Sequence, residues 1–116
     1  MTDKKTVAIF GAAGSMGTRS SNALKNDLVY DVLSVEAGEG GMARLRERGV
    51  EPTEQSVALK QAEVIVLAVP DALIATVAAE IVPEMQSGAM LIGLDPAAPH
   101  AGRLPERQDV SYFFSH

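Results

Sequence analysis

The chain has 116 residues, 10 basic and 15 acidic side chains, a net charge of −5 and no cysteine. That length suits a single domain with one core, and the acidic balance excludes the basic face that nucleic acid requires. Without cysteine there are no disulfides, thiolate nucleophiles or thiolate metal sites in these residues.

Two lysines and a short apolar run precede Gly11. A signal peptide needs a longer apolar stretch and a membrane span about 20 residues, so a cytoplasmic protein that avoids membranes is expected. Residues 6–10 form the first apolar block, and four more follow at 30–35, 64–69, 89–94 and 110–114. Most are uniformly apolar rather than alternating, the pattern of strands covered by helices on both faces. A weak extra strand is expected around Val50. Helical segments fall between the blocks: 15–26 after a glycine turn, 42–48 closed by Gly49, a short one at 55–61, and 71–82. Asp71 is a natural N-cap for the last, with Leu73, Val77 and Ile81 stacked on one face and Pro83 and Gly88 closing the segment. Residues 95–107 read as a proline-rich loop. Strand–helix alternation predicts an α/β fold: a Rossmann doubly wound parallel sheet in three layers, α/β/α, over residues 1–116.

The informative segment is Gly11-Ala12-Ala13-Gly14-Ser15-Met16-Gly17, between the first strand and the first helix. A dinucleotide pyrophosphate needs a tight turn, a bare backbone to approach, and helix-terminal N–H groups facing the anion. Gly11 can supply the turn, Gly14 the approach, and Gly17 the close packing of helix on strand. Glu36 ends the second strand, where a carboxylate accepts hydrogen bonds from the adenosine ribose and repels a 2′-phosphate. NAD is therefore expected over NADP. Arg44, Arg46 and Arg48 read as a solvated helix surface, with no arginine placed beside Glu36 for a phosphate. Ligands of doubly wound sheets lie beyond the strand carboxyl ends, so Gly11, Glu36, Val69, Leu94 and His116 should share one edge. Val69, Pro70 and Asp71 should flank the nicotinamide. His116 could act as a base or a metal ligand there only with partners from further sequence, and His100 reads as an exposed loop residue.

The segments Thr6-Val-Ala-Ile-Phe-Gly-Ala-Ala-Gly-Ser-Met-Gly17 and Val64-Ile-Val-Leu-Ala-Val-Pro-Asp71 resemble the 6-phosphogluconate-dehydrogenase-like superfamily of β-hydroxyacid dehydrogenases. Leu94-Asp-Pro-Ala-Ala-Pro-His100 and Ser111-Tyr-Phe-Phe-Ser-His116 are similar to the D-apionate oxidoisomerase family. The resemblance implies an NAD-dependent oxidation of a CH–OH group in a hydroxy or sugar acid, coupled to skeletal isomerisation. It also implies a C-terminal substrate domain that carries the catalytic group and supports a homodimer, this chain being the N-terminal cofactor part.

Three other readings share the glycine turn. An extended short-chain reductase needs a Tyr-x-x-x-Lys pair, but neither Tyr30 nor Tyr112 has a lysine four residues on. A phosphorylating semialdehyde dehydrogenase attacks with cysteine, absent from these residues. A non-catalytic module that senses NAD(H) would need the same pocket, and fold alone does not separate it from an enzyme.

Overall fold

A computed structural model describes residues 5–25, 29–36, 38–69, 71–93 and 109–114. Five strands, β1 (Lys5–Phe10), β2 (Tyr30–Val35), β3 (Val64–Leu67), β4 (Met90–Gly93) and β5 (Ser111–Phe114), form one sheet in the order β2-β1-β3-β4-β5. Every pairing is parallel. The registers align Val35, Phe10, Leu67, Gly93 and Phe114 in one row across the carboxyl ends. Strand order reverses at β1, whose neighbours β2 and β3 lead away in opposite directions; this is where a doubly wound sheet opens its crevice.

Alternation along the strands divides the core into two apolar faces. Ala8, Phe10, Ile65, Leu67 and Leu91 point one way, against Ala58 and Leu59 of α3 (Gln55–Gln61) and Ala78 and Ile81 of α4 (Asp71–Ile81). Val7, Ile9 and Val66 point the other way, against Leu24 of α1 (Ser15–Lys25) and Leu45 of α2 (Glu39–Glu47). The result is the expected three-layer α/β/α Rossmann architecture. No described helix is long and apolar enough to cross a membrane.

Several expectations move. Val50 joins no strand: its N–H bonds the Leu45 carbonyl at 2.9 Å, continuing the turn that ends α2 at Gly49. That turn takes Gly49 into the left-handed region, φ 76°, which is why a helix stops there. α2 begins at Glu39, three residues before the apolar pattern does, with Gly38 as its N-cap and Met42 N–H bonding the Gly38 carbonyl at 3.1 Å. Asp71 is the first residue of α4 rather than the cap before it, and the helix tightens at Val82–Glu84 into a 3₁₀ turn around Pro83. β3 ends at Leu67, so Val69 lies beyond the strand.

Candidate functional site

The glycine turn leaves β1 at the switch point. Gly11 has φ 81°, and a Cβ on it would stand 2.5 Å from the Ala68 carbonyl oxygen and 3.0 Å from Val69 Cγ1. Only glycine fits both the dihedral and the contact with the end of β3. Gly11 and Ala12 N–H both donate to the Val35 carbonyl, at 3.0 and 3.3 Å, which ties the turn to the end of β2. The turn closes by Gly14 N–H to the Gly11 carbonyl at 3.1 Å. Thr18 then bonds the Gly14 carbonyl twice, by N–H and by Oγ1, each at 2.8 Å. A Cβ on Gly17 would stand 2.6 Å from Ala12 Cα and collide with the Gly11 carbonyl, so this residue brings α1 hard against the turn.

Gly14 differs. A Cβ there would meet only the Gly11 carbonyl oxygen, at an ordinary 3.5 Å. Packing does not demand glycine at this point, and the backbone is open to approach. Just beyond it, the first-turn N–H groups of Ser15, Met16 and Gly17 lie outside the reach of the helix's own ladder. A dinucleotide pyrophosphate fits this cradle: a tight turn, a bare approach and unpaired helix-terminal donors.

Glu36, directly after β2, completes it. Its Oε2 accepts the Ala13 N–H at 2.7 Å, joining the carboxylate to the middle of the glycine turn. An open cleft of about 360 Å³ runs from here, lined by Gly11, Gly14, Glu36, Arg44, Val69 and Val77 among others. The sequence-derived residues Gly11, Gly14, Glu36 and Val69 thus come together. Val69 lines the same cleft as Glu36. Ser15 and Met16 open α1 and Asp71 opens α4. Pro70, Leu94, His100 and His116, with the metal and base roles expected of the last, lie outside the described residues.

Arg44, Arg46 and Arg48 are all exposed, as a solvated helix surface requires, and each also makes a contact of its own. Arg44 lines the cleft with Glu36. Arg46 makes an exposed ion pair with Glu51 at 3.8 Å. Arg48, from the end of α2, donates to Thr18 Oγ1 and, at 3.5 Å, to the Ala12 carbonyl, bracing the turn from behind. Sequence reading missed these roles because arginines spaced by two diverge by about 200° around a helix. Gln55 and Glu80, also in the cleft wall, were likewise invisible, being brought there by α3 and α4 packing on the far face of the sheet.

Residues 1–111 match the family model of the acetohydroxy acid isomeroreductase, NADPH-binding domain. The chain belongs to that family. With it the chain joins the Rossmann dinucleotide-binding domains. Two curated relatives, the D-apionate oxidoisomerases of Cupriavidus necator and Blautia hydrogenotrophica, are 46% and 44% identical over 115 and 114 residues. Each alignment covers 97% of this chain, but 41% and 40% of the relatives. A Cupriavidus necator crystal structure, described as a semialdehyde dehydrogenase NAD-binding protein in complex with calcium and NAD, is similar with a TM-score of 0.83 at 46% identity. That match covers 96% of this chain and 40% of the other. The chain therefore spans about two fifths of the length of the relatives it matches. The family is described by NADPH, whereas the sequence reading of Glu36 expects NAD, because a carboxylate placed at a ribose would oppose a 2′-phosphate.

Proposed function

We propose that this chain is the NAD-binding domain of an oxidoreductase acting on the CH–OH group of a hydroxy or sugar acid, with D-apionate the first substrate to test. The observation that carries the cofactor reading is the Glu36 carboxylate, held by Ala13 N–H beside the open backbone of Gly14. The relatives named D-apionate oxidoisomerase support the substrate class. When bound, the nicotinamide supplies the hydride acceptor. This chain's residues do the holding: first-turn N–H groups of α1 receive the pyrophosphate, Glu36 accepts from the ribose hydroxyls, and Val69 and Val77 offer apolar cleft wall.

The substrate domain and the catalytic acid–base group belong, on this reading, to sequence outside these residues, as does any dimer contact. A cytoplasmic setting follows the same proposal. Calorimetric titration of the chain with NAD and with NADP tests the cofactor claim; NAD should bind more tightly, and equal affinities would remove it. For the substrate, the full-length enzyme should form NADH from D-apionate. Activity confined to unrelated alcohols would refute that choice.

A further inference from the structure

A glycine inside a helix needs a reason, because it loses more backbone freedom on folding than alanine and adds no packing. α2 contains two, Gly40 and Gly41, and they differ. A Cβ on Gly40 would meet nothing within 4 Å. Gly41 is buried, and a Cβ there would lie 2.7 Å from both Cδ and Oε1 of Glu36 and 2.9 Å from its Cγ. Among the described glycines, φ is positive only at Gly11, Gly49 and Gly88. The backbone at position 41 would therefore accept alanine; the Glu36 carboxylate would not.

The carboxylate is held from two sides, Ala13 N–H reaching Oε2 and the bare face of Gly41 leaving a niche for Oε1. We infer that Gly41 is a specificity-determining position: its missing side chain seats the Glu36 carboxylate where the adenosine ribose is read, and so sets the preference for NAD. This rests on the proposed role of Glu36. The direction of change follows from the charges in the cleft. Arg44, three residues along α2, lines the same cleft as Glu36. A side chain at position 41 displaces the acid that repels a 2′-phosphate and leaves Arg44 and Glu80 as the charged cleft wall, so discrimination against NADP weakens. Displacement is also the cheap response, because the colliding atoms are the free end of a flexible side chain rather than backbone.

The test combines nitrogen-15 NMR of the cofactor-free chain with calorimetry on NAD and NADP, for Gly41→Ala, Glu36→Ala and the double variant. Gly41→Ala should fold, move the Ala13 amide resonance towards its position in Glu36→Ala, and lower the NAD-to-NADP affinity ratio by about tenfold, the scale of one charge-assisted hydrogen bond. In the Glu36→Ala background it should add nothing further. Folding of Gly41→Ala only in that background would also support the contact, whereas unfolding in both would overturn it. An unmoved Ala13 amide and an unchanged ratio, with Glu36→Ala altering both, would overturn the role of Gly41 and leave that of Glu36. Should Glu36→Ala leave the ratio unchanged, the ribose reading itself fails and the inference with it.

Discussion

Gly11, Gly14 and Gly17 share a turn but answer to different constraints. Gly11 is required by its positive φ and by the Ala68 carbonyl, Gly17 by the backbone of residues Gly11 and Ala12, and Gly14 by neither. Substitution should therefore separate folding from binding. Gly14→Val is expected to abolish NAD binding in calorimetry while keeping the circular dichroism spectrum, whereas Gly11→Ala should lose stability. The left-handed conformation alone costs alanine about 1–2 kcal/mol, before any collision is counted. Retained NAD affinity in Gly14→Val would remove the main support for a pyrophosphate at this turn. Glu36 bonds the glycine turn and, in the proposed function, also selects the cofactor. Replacing its carboxylate with the shorter hydroxyl of Glu36→Ser should narrow the gap between NAD and NADP by roughly 1–3 kcal/mol, the range of a hydrogen bond to a charged group. The measurement is the ratio of the two dissociation constants, and an unchanged ratio would show that Glu36 does not meet the ribose.

At the scale of elements, what could be read from the sequence was what repeats locally. The apolar blocks located all five strands, most plainly β1, β3 and β4 inside the sheet, because a strand covered on both faces needs unbroken apolar character. The glycine spacing and Glu36 were legible for a similar reason: they sit at fixed offsets from strand ends, and the parallel register carries those ends into one row. The start of α2 was not, since Gly38, Gly40 and Gly41 read as loop by propensity; packing against Glu36 accounts for Gly41, while Gly38 and Gly40 face open space. Val50 misled for the opposite reason, its β-branched side chain packing against the core from a helix-terminal turn. Arg48 joins α2 to α1 and the glycine turn, a contact 30 residues apart in sequence to Thr18 and 36 to Ala12. No local pattern announces such a pair. Arg48→Ala should lower stability by about 0.5–1.5 kcal/mol, the net worth of a typical hydrogen bond, because its bonds face solvent on one side. A urea midpoint equal to that of the unmutated chain would show that water replaces them fully.

Over the whole molecule, the strand order gathers the turn after β1, Glu36 after β2 and Val69 after β3 at one edge, where the sheet reverses direction. This edge is equipped to hold a dinucleotide. Oxidising an alcohol requires something more, a group within hydrogen-bond reach of the substrate hydroxyl to take its proton. His116, expected from the sequence as a base, lies outside the described residues, and Asp71 opens α4. The described residues contain no group of three or more histidine, aspartate or glutamate side chains able to hold a metal. The relatives named as oxidoisomerases run to more than twice this length, which leaves ample sequence for a substrate domain. The 116-residue chain alone is therefore expected to bind NAD(H), more weakly than the longer relatives, and to turn over no hydroxy acid. The assay follows NADH absorbance with a panel of sugar acids that includes D-apionate, run beside the Cupriavidus necator relative at equal molar concentration. Sustained turnover by this chain would place the proton acceptor within it, and His116→Ala would then be the first variant to make, since imidazole is the side chain here whose ordinary protonation suits a base near neutral pH.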